Sequence, residues 1–183
     1  IALKKCRPFI RKSFTKKVPR FISKLIRKCF AATIVCGENF ALLVTGTGGV
    51  VGWGNAPAVP SNLSDVVSVA AGRAHALALK SDGTVVGWGD NFFGQATPPS
   101  GLSGVVKVVA AWDSSLALKA DGTVVSWGSN SGGRNAVPAS VANAIDIAIS
   151  GDGFHGVPYV NLAVLASGGV ITWGDTSNSP AGT

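Results

Sequence analysis

The 183 residues are 46% hydrophobic and only 14% charged, with 24 glycines and no methionine. That composition fits one globular domain with an appendage and excludes a disordered chain; no apolar run approaches the length of a membrane-spanning helix. The formal charge of +7 is unevenly placed: residues 1–30 hold eleven of the sixteen Lys and Arg and no acid, which leaves five basic residues against all nine acids in the remainder.

The basic piece has a pattern of its own. In "RFISKLIRKCF", Phe21, Ile22, Leu25, Ile26 and Cys29 fall at helical spacing, with Lys24, Arg27 and Lys28 opposite them. Such a segment can pack on the open edge of a neighbouring sheet, lie on an anionic membrane surface, contact nucleic-acid phosphates, or serve as a targeting sequence. Pro8 and Pro19 limit it to two short pieces. The nucleic-acid reading lacks the interleaved Tyr or Asn that would strengthen it. The following "CFAATIVC" imitates the basic and apolar regions of a secretory signal, but "ATIVCG" aligns with later strands and Glu38 interrupts the run, so a strand is expected. Cys6, Cys29 and Cys36 are odd in number and lack metal-ligand spacing, which predicts a chain without disulfides.

From residue 31 onward the chain repeats itself. Trp-Gly pairs recur at Trp53-Gly54, Trp88-Gly89, Trp127-Gly128 and Trp173-Gly174. "CGENFALLVTGTGGVVGWG", "AGRAHALALKSDGTVVGWG" and "AAWDSSLALKADGTVVSWG" align without gaps, and "GVPYVNLAVLASGGVITWG" matches near its end. Four units are therefore predicted, at about 31–65, 66–104, 105–143 and 144–183, behind the N-terminal segment 1–30. Within each unit, large and small side chains alternate: Leu77 and Leu79 on one face, Ala76 and Ala78 on the other. Leu42 and Val44, Leu116 and Leu118, and Leu162 and Val164 repeat the choice. Asp82-Gly83 and Asp121-Gly122 are expected to supply positive φ angles for a tight hairpin, before a Val-rich return strand that ends on the Trp. An apolar strand such as "VVSVAAG" or "VVKVVAA" precedes each hairpin. The fold class is all-β, a β-propeller-type array of four units, with the four tryptophans at equivalent, largely buried positions.

The joint occurrence of Leu-Ala-Leu-Lys, Asp-Gly-Thr-Val and Trp-Gly in "AGRAHALALKSDGTVVGWGDNFFGQ" resembles the regulator of chromosome condensation repeat family, in its bacterial-type β-propeller form. The resemblance covers about residues 31–183. It implies a propeller that binds partner proteins on a loop face. Members usually close a ring of seven blades, whereas four units are present here. A partial propeller is expected, and a ring completed by a second chain or a small closed ring are the alternatives; open blade edges would favour self-association.

Catalytic signatures are missing. His75 starts a repeated strand and is replaced by Phe40 and Ser114 in other copies, which suits a structural role. "GDGFHG" satisfies the Gly-x-Gly-x-x-Gly spacing, but Pro158 and a strand follow it where a dinucleotide site needs a helix. No nucleophile-elbow, zincin or calcium-loop spacing occurs. No catalytic, cofactor-binding or metal-binding residue is assigned, and a non-catalytic protein-binding scaffold is the expected function. The alternatives are membrane or nucleic-acid association through residues 1–30 and a lectin-like, carbohydrate-binding propeller.

The repeat also points to the binding surface. Residues constant between copies serve the scaffold, and those that vary at matched loop positions are free for other work. Where one copy has Glu38 and another Arg73, the third has Trp112, and the fourth expands around residues 151–159. Glu38, Asn39, Arg73, Trp112, Asp113, Phe154, His155 and Tyr159 are therefore the candidate partner-binding residues, since Trp, Tyr and Arg anchor protein interfaces. The competing reading has Trp112 covering a blade edge. In the loop after the second Trp-Gly pair, Phe92 and Phe93 are expected to be buried between blades and Gln95 to hold the blade together.

Overall fold

The structure is a computed structural model, which describes residues 33–150 and 159–175. The basic segment 1–30 and the candidates Phe154 and His155 lie outside those residues. Twelve strands form four antiparallel three-stranded sheets: β1 (Ile34–Cys36), β2 (Phe40–Val44) and β3 (Val50–Gly54); β4 (Val66–Ala71), β5 (His75–Lys80) and β6 (Val85–Gly89); β7 (Val105–Ala111), β8 (Ser114–Lys119) and β9 (Val124–Gly128); β10 (Ala144–Ser150), β11 (Val160–Leu165) and β12 (Val170–Gly174). The fold is the expected all-β blade array. Its first strands β1, β4, β7 and β10 adjoin one another and together line a cavity of about 410 Å³.

The alternating strand pattern is what stacks the sheets. The large face of each middle strand meets the small face and the Trp of the next sheet. Phe40, Leu42 and Val44 pack against Ala76, Ala78 and Trp88; Leu77 and Leu79 against Ala117 and Trp127; Leu116 and Leu118 against Ala163 and Trp173. All four tryptophans occupy one register, opposite Ala41, Ala76, Ser115 and Asn161. Three are buried, but Trp53 is only half-buried, contrary to expectation. Its face of the first sheet meets none of the other three sheets, so no Leu-bearing neighbour covers the indole among the described residues.

The first three hairpins also dock on the sheet that follows each of them. The carbonyls of Gly48, Gly83 and Gly122 accept hydrogen bonds from Val66, Val105 and Ala144. Gly122 is the tightest of these: its φ is +80°, and a Cβ there would lie 2.7 Å from the Asn143 Cα. Asp82 and Asp121 do not take positive φ, as the Asp-Gly signal suggested; only the glycines do. The reason is loop length. The Lys80 amide donates to the Thr84 carbonyl at 2.9 Å, which closes a loop of three residues, Ser81 to Gly83, an arrangement that puts only the last in the left-handed region. The aspartates instead accept hydrogen bonds from the Thr84 and Thr123 amides, at 2.9 Å each. The Thr123 amide, with the Thr123 hydroxyl and Lys119, holds the Asp121 carboxyl down to about 2.

A second tie runs between sheets near their other end. The Trp127 indole donates to the Gln95 carbonyl, and the Trp173 indole to the Arg134 carbonyl, both at 2.9 Å. Gln95 is fully buried and does hold this loop in place, through Phe93 N–H and Asp90. Trp88 lacks the equivalent bond. From Gly54 to Pro60 the chain advances six positions, against ten from Gly89 to Pro99 and ten from Gly128 to Pro138, so the first copy is too short to bring a carbonyl there.

Candidate partner-binding site

The start of each middle strand pairs with the end of the third: Phe40 with Gly54, His75 with Gly89, Ser114 with Gly128. The loop entering a hairpin and the loop leaving a Trp-Gly pair therefore emerge at the same end of the array. Glu38, Arg73 and Trp112 meet there. Arg73 Nε donates to Glu38 Oε2 at 3.2 Å, and its guanidinium carbon stands 4.8 Å from the centre of the Trp112 ring. The Arg73 amide also donates to the Trp112 carbonyl at 2.9 Å. This Glu–Arg–Trp stack lines a recess of about 310 Å³ that shares Cys36 and Ala110 with the larger cavity. The partners of the ion pair are 41% and 46% exposed, so its energetic value is small and its role is to orient the guanidinium over the indole.

Trp112 is held in an unusual backbone. In the third sheet the ladder continues to Ala111–Ser114, which leaves Trp112 and Asp113 as a two-residue turn. Trp112 takes a φ of +52°, the left-handed position that glycine or asparagine usually fills in such turns. The second sheet manages its loop differently. There Gly72 lies against the His75 ring, with no room for a Cβ; Ser114 in place of His75 lets Ala111 stand where glycine is otherwise required. The half-buried indole is thus placed by a turn that costs local strain of about 1–2 kcal/mol.

Behind the stack lies a layer of buried polar groups. Asp113 is only 6% exposed, and its Oδ1 has no hydrogen-bond partner. Burial raises its pKa, the Arg73 and Arg134 charges oppose the rise, and Asp90 and Glu38 add to it. His75 is fully buried, and burial pushes it down to about 4 against the pull of Asp90. Its Nε2 lies 3.0 Å from Ser115 Oγ. Because the serine hydroxyl donates to the Gln95 carbonyl, the imidazole must be the donor in the first bond. Arg134, also buried, donates through Nη2 to Ser129 Oγ and covers the Tyr159 ring at 3.9 Å. Tyr159 therefore spends one face on the scaffold and stands apart from the Arg73–Trp112 stack. Asn39 is exposed, and its carbonyl receives the Asn55 amide.

Two expectations need correction. Phe92 and Phe93 are 84% and 49% exposed, because the loop that carries them turns back through its polar side chains and leaves the rings outside. Cys36, at the border of the recess, is in a disulfide whose partner lies outside the described residues, so the chain is not disulfide-free. Among the described residues no cluster of His, Cys, Asp and Glu is placed to hold a metal.

Residues 66–95 and 105–134 match the Regulator of chromosome condensation (RCC1) repeat. These are two of the four Trp-Gly units, up to and including Gln95 and Arg134. Two of the chain's four units are RCC1 repeats. No curated protein matches it in sequence, but solved structures share its fold. Human WBSCR16 is 25% identical with a TM-score of 0.60, over 82% of this chain and 52% of that one. Yeast RCC1 (Prp20) bound to Kap60 is 22% identical with a TM-score of 0.55, over 79% and 44%. Prp20p from Saccharomyces cerevisiae, in a second structure, is 17% identical with a TM-score of 0.56, over 86% and 45%. The chain thus spans about half the length of these structures.

Proposed function

We propose that the chain is a non-catalytic scaffold that binds a partner protein on the loop end of its blade array, with Trp112 and Arg73 as anchors. One observation carries the reading: a half-exposed indole is kept at a strained, left-handed turn position and stacked by an oriented guanidinium. A residue serving only to fill a blade edge has no need of that backbone. Trp and Arg are the side chains most often found as energetic anchors at interfaces. The fold supports the reading by analogy: yeast Prp20 is bound to Kap60 in one structure and has described binding properties toward Gsp1p and histones.

The test uses full-length variants against a partner captured from the source cells. Trp112→Ala should weaken binding by about 2 kcal/mol, roughly thirtyfold. Binding that survives Trp112→Ala but is lost when lysines and arginines of residues 1–30 are neutralised would place the function in the basic segment instead.

A further inference from the structure

The first strands β1, β4, β7 and β10 are each an edge strand of their sheet. The cavity of about 410 Å³ that they surround has aliphatic lining side chains apart from Cys36 and Lys107. The Lys107 ammonium is already held by Asp146 and the Ile147 carbonyl, so the cavity offers no free charge to a polar ligand among the described residues. Its chief walls are Ile34, Val35, Val69, Val108 and Ile149. A concave, mostly apolar site of this size is suited to taking up apolar side chains.

Cys36 points to the occupant. It lines both this cavity and the recess beside Trp112, and its sulfur is in a disulfide. The chain has only two other cysteines, Cys6 and Cys29, and both belong to the basic segment 1–30. A disulfide holds its two Cα atoms about 5–6 Å apart, so the partner cysteine brings part of that segment to the join of cavity and recess. Cys29 lies seven positions before Cys36 and Cys6 lies thirty before it, and the shorter loop closes at the lower entropic cost. Cys29 also shares the apolar stripe of Phe21, Ile22, Leu25 and Ile26. A bond from Cys29 to Cys36 turns that stripe toward the aliphatic walls. Charge favours the same seating, since the segment has eleven basic residues and no acid, against five basic residues and nine acids in the remainder.

We propose that residues 21–29 of this chain are seated over the cavity and fastened there by a Cys29–Cys36 disulfide, with the apolar stripe inserted and Lys24, Arg27 and Lys28 turned to solvent. A helix about 10 Å across cannot enter a cavity of this size whole, so only the side chains of the stripe go in. The bond forms as the two thiols give up two hydrogens to a disulfide-bearing oxidant, which leaves as a dithiol. This goes beyond the loop-end reading and does not rest on it, because it concerns a different surface.

Trypsin tests both parts on the full, unreduced chain. Complete digestion after denaturation should release residues 29–73 as one peptide, lighter by two hydrogens than the same peptide after reduction. Finding it joined to the peptide that carries Cys6 would overturn the proposal. Limited digestion of the folded chain should cut after Lys24 and Arg27 about tenfold more slowly than after Lys4, because a seated segment must open before it is cut. Ala148 lines the cavity and is exposed, so a large side chain there fills the cavity without entering the core. Ala148→Arg should raise the cleavage rate at Lys24 and Arg27 about tenfold, and so should Leu25→Asp/Ile26→Asp, with the disulfide retained in both. A parent cut as fast after Lys24 as after Lys4, or acceleration by only one of the two variants, would show that the stripe is not seated in this cavity. Loss of partner binding on Trp112→Ala would stand in either case, so the two readings fail separately.

Discussion

Single residues show which positions the repeat controls and which it releases. His75 and Phe40 occupy the same place, under Gly72 and Gly37, yet only the histidine titrates. Its folded pKa of about 4 lies below the ordinary value of 6.5. The unfolded chain therefore binds the proton first. Stability contributed by neutral His75 is complete above about pH 6.5 and drains away as the pH falls toward 4, by about 3 kcal/mol in all. Unfolding midpoints measured between pH 7 and pH 4 should fall accordingly, and His75→Phe, which copies the first sheet, should flatten the profile. An equal slope in both proteins would contradict this. Asp113 has the opposite sign. Burial raises its pKa, so that its ionisation at neutral pH weakens the fold.

At the scale of elements, most of the architecture was legible because the chain states it four times. Aligning the Trp-Gly pairs placed Leu42, Leu77 and Leu116 on one face and the indoles in one register, and the packing follows that division. What failed to be legible was conformation that depends on one loop's length. "AWDS" differs from "GRAH" by residue type, but nothing in the letters shows that it closes in two residues and forces Trp112 to a positive φ. Phe92 and Phe93 were read as core because aromatic rings usually are; their loop's internal hydrogen bonds, which push them outward, depend on a fold-back invisible in composition. The Asp-Gly pairs misled in a smaller way, marking the turn correctly but assigning left-handed backbone to one residue too many. The hairpin glycines offer a test at this scale. Gly122 and Gly168 both have positive φ, but a side chain at 122 would collide with Asn143, whereas nothing lies within 4 Å at 168. Gly168→Ala should therefore cost only the backbone strain of about 1–2 kcal/mol, and Gly122→Ala distinctly more. Equal costs, by chemical denaturation of the two variants, would show that hairpin docking adds nothing.

For the whole molecule, the same division of faces predicts both association and function. Leu162 and Val164 present the large face of the fourth sheet, but they are only half-buried where Leu77 and Leu116 are fully covered, and Val170 beside them is exposed. A face built to receive a Trp-bearing sheet, and left half-covered among the described residues, should make the chain self-associate. Sedimentation should show assembly that rises with concentration and is suppressed by Leu162→Arg; a monomer at every concentration would refute it. The central claim is that the repeated tryptophans build the scaffold while the unrepeated one meets a partner. It is tested most directly by the unfolding midpoints of Trp88→Ala and Trp112→Ala measured side by side. Trp88 is buried between the first and second sheets, so its loss should cost about 3–5 kcal/mol. Trp112→Ala should stay within about 1 kcal/mol of the parent, since the half-exposed ring leaves no closed cavity. If Trp112→Ala destabilises the fold as much as Trp88→Ala, the indole belongs to the core, and the loop end loses its anchor.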